Sequence, residues 1–159
     1  MSLIIATGSN IGDRIKNLAN AKATLSQTFD IVAESRIYSS PAVDYTGQPD
    51  FLNQVLEFKI PELPPEEVML NLLKYEKELG RVRDIDKGPR IIDLDIIFWG
   101  ELKLQKDNLK LPHPRWRERA FVVRPLKELP FYKSHIEELQ VEDSFDHEAF
   151  PVDEQLRRI

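Results

Sequence analysis

The sequence predicts an α/β (α+β) fold with a ferredoxin-like core, an antiparallel sheet carrying helices on both faces. Three observations predict it. Segments of strand and helix character follow one another as β-α-β-β-α-β through the first hundred residues, the order of a split βαβ core. Proline and glycine punctuate those segments where elements should start and stop. A further apolar stretch from Ala120 onward is left to cover the face that the first two helices do not reach.

Each element has its own reason. Leu3-Ile4-Ile5-Ala6-Thr7, ended by Gly8, is a short apolar run of buried-strand length. Ile11, Ile15, Leu18, Leu25 and Phe29 recur at helical spacing, interrupted at that phase by Lys22, and Asp13 can cap the helix start. Ile31 to Tyr38 reads as a second strand, and Ser39 to Asp50, with Pro41, Gly47 and Pro49, as a loop of about a dozen residues. Phe51 to Ile60 is a third strand closed by Pro61. Pro64-Pro65-Glu66-Glu67 opens a helix, because proline suits the first turn and acids complement its positive end. Val68, Leu72, Tyr75 and Leu79 form its apolar stripe, and Gly80 stops it. Arg81 to Arg90 is a second long loop, followed by a strand from Asp93 to Trp99 and a turn at Gly100-Glu101. Pro112 to Arg119 is a basic, proline-rich connector, and Ala120 to about Leu129 a helical segment. Two short helices are expected in the tail, over 136–140 and 153–158.

Composition narrows the function. The chain has 159 residues, 42% hydrophobic and 31% charged, and reads as a single domain over 1–159 with an acidic tail from about residue 134. It contains no cysteine, which excludes disulfides, thiolate chemistry and sulfur-ligated zinc. No apolar run reaches the ~20 residues that span a bilayer, so a cytoplasmic protein without membrane contact is expected. The net charge of −5 is unevenly spread. Glu137, Glu138, Glu142, Asp143, Asp146, Glu148, Asp153 and Glu154 stand in a stretch without lysine or arginine, leaving residues 1–133 close to neutral. A near-neutral body argues against a nucleic-acid partner, which calls for a broad basic surface.

The most informative stretch is Gly88-Pro89-Arg90-Ile91-Ile92-Asp93-Leu94-Asp95, running into Ile96-Ile97-Phe98-Trp99. Side chains two apart on a strand share a face, so Asp93 and Asp95 point together while Ile92, Leu94, Ile96 and Phe98 point away. Paired carboxylates beside a packed sheet call for a cation. Hard oxygen donors on rigid backbone suit Mg²⁺, which shares one or two carboxylates with substrate phosphates. Alone, such a pair is more often a solvated face; here the preceding loop adds Arg81, Arg83, Lys87 and Arg90, whose charges suit phosphate oxygens. Pro112-His113-Pro114-Arg115-Trp116-Arg117-Glu118-Arg119 adds a second basic cluster. On the third strand Phe51, Asn53 and Val55 share one face and Leu52, Leu56 and Phe58 the other, so an aromatic ring and an amide are offered to a flat heterocycle.

Six blocks occur in order: Gly8-Ser9-Asn10, Ser40-Pro41, Gln48-Pro49-Asp50-Phe51-Leu52-Asn53, Gly80-Arg81-Val82-Arg83, the Gly88 to Asp95 stretch, and Pro112-His113-Pro114-Arg115. Together they closely resemble the 6-hydroxymethyl-7,8-dihydropterin pyrophosphokinase family of folate synthesis, from about Ile4 to Leu126. The resemblance implies transfer of diphosphate from ATP to the hydroxymethyl group of the pterin, with release of AMP. It further implies that Asp93 and Asp95 hold two Mg²⁺ ions, and that Arg81 and Arg90 act on the transferring group as catalytic arginines. Glu76, Arg83, Ile96, His113 and Arg119 would serve ATP. Phe51 and Phe121 would sandwich the pterin, with Asn53 and groups at Ser40, Pro41 and Val43 reading its edge. Lys87 stands where many members of the family carry an aromatic residue, and Asp84 and Asp86 where some carry a basic one.

Two other readings compete. One is a non-catalytic ferredoxin-like module that binds a small ligand and regulates a partner. The other is a two-metal nuclease, since paired aspartates also serve phosphodiester hydrolysis. The expected partners are the small molecules ATP and 6-hydroxymethyl-7,8-dihydropterin, with no nucleic acid and no membrane, and the chain is expected to be a monomer.

Overall fold

The computed structural model describes residues 1–42, 47–80 and 91–152. Along the chain run β1 (Ser2–Ser9), α1 (Arg14–Thr28), β2 (Ile31–Glu34), β3 (Tyr38–Ser40), β4 (Phe51–Lys59), α2 (Pro65–Glu78) and β5 (Asp93–Trp99). There follow a hairpin of β6 (Leu104–Lys106) and β7 (Leu109–Leu111), a 3-10 turn at Trp116–Glu118, α3 (Ala120–Leu126), α4 (Pro130–Ser134) and β8 (Phe150–Pro151). The main sheet has the order β5-β1-β4-β3-β8, with β2 also on β4, and every pairing in it is antiparallel. With β2 and β3 taken as one interrupted strand, this is the expected split βαβ arrangement.

β1 lies inside the sheet because its sequence suits burial on both faces. Leu3 and Ile5 pack on one side with Leu18 and Leu25 of α1 and Val68 and Leu72 of α2. Ile4 packs on the other with Val55, Trp116, Val122, Val123 and Leu126. Helices therefore cover both faces, as expected.

Several local expectations are corrected. Ile11 lies before α1 and is 41% exposed; Ala21 rather than residue 22 carries the buried stripe, and Lys22 reaches Glu34 at 2.8 Å. The Asp13 cap is present, its carboxylate accepting the Lys16 N–H at 3.1 Å. The second strand breaks at Ser35, whose N–H donates to the Val55 carbonyl while its hydroxyl oxygen accepts the Val55 N–H, both at 3.0 Å. A side-chain oxygen thus stands in for a backbone carbonyl, and β3 continues to Ser40. On β5, Ile4 faces Phe98 and Ile5 faces Ile96, so Ile97 is an extra residue. This bulge turns Phe98 onto the opposite face from Leu94 and Ile96, where it meets Trp116 with ring centroids 4.9 Å apart.

The segment expected as one helix from Ala120 is two. Pro130 disfavours helical backbone at Leu129, which is extended at φ −90° and ψ 147° and begins α4 as its cap. The expected helix over 136–140 is a turn, and the one over 153–158 lies outside the described residues. Among the described residues no helix is long and apolar enough to cross a membrane.

Candidate active site

The face of the sheet under α3 carries a cleft of about 510 Å³. Its floor is Ala6, Thr7 and Gly8 of β1 with Phe51 and Asn53 of β4. At one end stand Asp93 and Asp95 on β5, an edge strand; at the other stand Ser40, Pro41 and Ala42. Three strand spacings, about 14 Å, separate β5 from β3. Arg115, Glu118, Arg119, Ala120 and Phe121 form the opposite wall.

The floor is held by local chemistry. Asn53 is 4% exposed, and its amide N–H donates to the Ser40 hydroxyl at 2.8 Å, fixing which side of the amide meets the cleft. A Cβ on Gly8 would lie 3.2 Å from the Asn53 side-chain oxygen and 3.6 Å from the Phe51 ring, so the bare glycine lets both side chains lie over β1. The Gln48 end of the preceding segment is tied to β1 by Asn10, whose amide donates to the Gln48 side-chain oxygen at 2.8 Å and the Pro49 carbonyl at 3.3 Å.

Phe121 lies at the start of α3, half-buried against the Phe98–Trp116 cluster, with the Arg119 guanidinium 5.5 Å from its ring centre. The cleft thus has aromatic rings on floor and wall, carboxylates at one end and a guanidinium between.

A second cleft of about 390 Å³ lies on the α2 side of β5. Met69, Leu72 and Leu73 of α2 face Asn108 and Lys110 of the β6–β7 hairpin across Leu94 and Ile96, with His113 and Pro114 at its end. Asp95 lines both clefts. The connector is docked beside β5 by the His113 N–H, which donates to the Ile97 carbonyl at 2.9 Å. His113 Nδ1 accepts the Arg115 N–H at 3.1 Å, so in the neutral ring Nε2 carries the proton. Burial, reinforced by the cations Arg119 and Arg115 and partly offset by Asp93, lowers the His113 pKa to about 4. His113 is therefore a neutral N–H donor near pH 7.

Glu76 lines neither cleft. It is 3% exposed, and its carboxylate accepts the Leu94 N–H at 2.8 Å, on the strand between the two aspartates. This side chain holds β5 against α2.

Residues 4–130 match the family described as 7,8-dihydro-6-hydroxymethylpterin-pyrophosphokinase (HPPK). The chain belongs to this family. The "2-amino-4-hydroxy-6-hydroxymethyldihydropteridine pyrophosphokinase" of Aquifex aeolicus (strain VF5) is 36% identical over 90% of this chain and 92% of its own. "Folic acid synthesis protein fol1" of Pneumocystis carinii is 41% identical over 80% of this chain, which spans only 17% of that longer protein. The crystal structure of wild-type Plasmodium falciparum HPPK-DHPS with SDX-DHP has a TM-score of 0.57 at 14% identity, over 80% of this chain and 39% of that one. That likeness is one of fold.

Of the residues expected in the HPPK site, Ser40, Pro41, Phe51, Asn53, Asp93, Asp95, Arg119 and Phe121 gather in the first cleft. Asp95, Ile96 and His113 meet in the second. Val43, Arg81, Arg83 and Arg90 lie outside the described residues, as does Lys87. Sequence reasoning missed Thr7, Glu118, Asp146 and His147 as lining residues of the first cleft, and the hairpin residues of the second. Glu118 belongs to the basic cluster already singled out. Asp146 and His147 sit in the acidic tail, beyond the region that matches the HPPK family, and carried no signal of their own.

Proposed function

We propose that this chain transfers diphosphate from ATP to the hydroxymethyl group of 6-hydroxymethyl-7,8-dihydropterin, releasing AMP, as a step of folate biosynthesis. The observation that carries this reading is the junction of the two clefts at Asp95. One cleft offers aromatic rings to a heterocycle, the other offers apolar side chains and a neutral imidazole to a nucleotide, and both end on the same carboxylate.

The pterin lies between Phe51 and Phe121, with Asn53 and the Ser40–Pro41 backbone along its edge. Asn53 cannot swing, because Ser40 holds its N–H. Stacking of a flat ring on an aromatic side chain contributes about 1–3 kcal/mol. The nucleotide lies in the second cleft over Ile96, its phosphates crossing β5 toward the pterin. His113 donates its Nε2 proton to a phosphate oxygen, and Arg119 adds a fixed charge from the wall.

Asp93 and Asp95 fit Mg²⁺. Their oxygens are hard donors held two apart on one strand, and Glu76 pins the backbone between them. Among the described residues no group of three or more His, Asp or Glu side chains is placed to hold a metal ion, so phosphate and water would complete the coordination of each of two ions. Bound Mg²⁺ supplies neutralisation of the phosphate charge. The pterin hydroxyl oxygen attacks the β-phosphorus, the bond from that phosphorus to the α-phosphate oxygen breaks, AMP departs and the hydroxyl proton is lost to solvent. The protein's work is positioning and electrostatics, with Arg81 and Arg90 carrying charge on the transferred group and Arg83 on ATP.

An assay of ATP, Mg²⁺ and the reduced pterin alcohol tests this reading. AMP formed only when pterin is present is expected. ADP in its place makes the chain an ordinary kinase, and no nucleotide turnover leaves the regulatory-module reading.

A further inference from the structure

The two rings of the first cleft are supported differently. Phe51 stands on β4, a strand paired on both sides. Phe121 stands in the first turn of α3, which begins at Arg119 without a side-chain cap. With seven residues α3 is too short to be rigid unaided. What fixes the wall ring is therefore the packing behind it.

Part of that packing comes from the tail. Among the described residues, Phe121 and Phe145 are the two half-buried hydrophobic side chains that pack on both of two buried clusters. One cluster contains Phe98, Trp116 and Val122; the other is the trio Tyr38, Ala120 and Ala149. Ala120 is the chain neighbour of Phe121, and Ala149, 3% exposed, belongs to the tail. The two rings thus flank the same buried residues. Asp146 and His147, which follow Phe145, line the cleft that Phe121 walls.

Phe145 is itself held from α3. Arg124 lies three residues after Phe121, on the same face of the helix. Its guanidinium is 5.1 Å from the Phe145 ring centre. Arg124 Nη2 donates to the Asp143 carbonyl at 2.6 Å and Nε to the Glu148 carboxylate at 2.9 Å, so one arginine grips the chain on both sides of the ring. Further along, Phe150 and Pro151 pair with Ser39 and Tyr38, and upstream Arg117 Nε donates to the Gln140 carbonyl at 3.2 Å.

We propose that Phe145 is a positioning residue that fixes the Phe121 ring against the face of the bound heterocycle, with Arg124 holding Phe145 in place. The edge of the heterocycle stays with Asn53 and Ser40–Pro41. The inference rests on the pterin reading of the first cleft and adds to it a residue beyond 4–130, the stretch that matches the HPPK family.

The test is a double-mutant cycle of Phe145→Ala and Phe121→Ala, reading the pterin Kd by fluorescence titration and the KM for ATP. Phe145→Ala is expected to raise the pterin Kd about fivefold, on the scale of coupling between neighbouring side chains, and to leave the ATP KM unchanged. Phe145→Leu, which keeps an apolar side chain on the trio, recovers most of the loss. In the Phe121→Ala background Phe145→Ala adds less than about twofold, because no ring is left to position; a merely structural role would keep its full effect there. Arg124→Gln, at a half-buried surface position, is expected to raise the pterin Kd about threefold and carries the same cycle should Phe145→Ala not fold. A pterin Kd unchanged in both variants, an equal rise in the ATP KM, or an effect undiminished in Phe121→Ala overturns the inference and leaves the function intact. A wild type that neither binds pterin nor makes AMP removes both.

Discussion

The two clefts that meet at Asp95 are made from different kinds of structure. The first is floored by paired strands, whose register sets Gly8 opposite both Asn53 and Asp93. The second is bounded by one helix, a hairpin of two three-residue strands, and a connector held to β5 by the His113 N–H. Strand pairing fixes the first cleft residue by residue, while tertiary docking of short elements fixes the second. The difference predicts which substitutions act on one substrate and which on both.

Asp95→Asn breaks the comparison altogether, because that carboxylate serves both clefts. Turnover is expected to fall by about three orders of magnitude or more, the scale on which charge stabilisation of phosphoryl transfer acts. Circular dichroism of the variant should match wild type; retained activity would remove the metal assignment. Phe121→Ala sharpens the comparison from the acceptor side. A loss of about 1–3 kcal/mol in pterin affinity is expected, with ATP affinity held, and both are read by titration. His113→Ala sharpens it from the other side, raising the ATP KM about tenfold, the scale of a hydrogen bond to a charged group, and sparing pterin.

Glu76→Ala acts on the strand between the clefts. It leaves the buried Leu94 N–H without its acceptor, at a cost of about 1–3 kcal/mol in denaturant unfolding. The smallest effect is expected beside β3, three strands from β5. There Glu128 accepts the Arg36 backbone N–H at 2.8 Å, the Arg36 guanidinium at 3.0 Å and the Tyr38 hydroxyl. Burial alone would raise the Glu128 carboxyl; those donors outweigh it and hold its pKa below the ordinary 4.5. A depressed carboxyl contributes stability above its unfolded value and loses it as pH falls through the folded one. Glu128→Gln should therefore lower Tm by a few degrees at pH 7 and converge with wild type at low pH.

What the sequence revealed follows the same division. Period-two alternation puts Phe51 with Asn53, and Asp93 with Asp95, on one face of their own strands, and the structure brings the two pairs into one cleft. Alternation fails at Phe98, where the extra residue Ile97 reverses the face, and a bulge has no signature in alternation. The family resemblance implies that Glu76 serves ATP; in the structure its carboxylate is buried and accepts the Leu94 N–H. The hairpin that walls the second cleft went unseen because two three-residue strands carry no periodicity. The acidic tail carries no clear periodicity, yet Arg124 holds it to the body through the Glu148 carboxylate and the Asp143 backbone carbonyl.

Calorimetric titration with α,β-methylene ATP tests the shared carboxylate most directly, since the bond replaced in that analogue is the one the proposed transfer breaks. Wild type is expected to bind it with measurable heat in Mg²⁺ and far more weakly in EDTA, and Asp95→Asn weakly in both. Equal binding with and without Mg²⁺, or an Asp95→Asn variant indistinguishable from wild type, would contradict a metal-bridged junction between the two clefts.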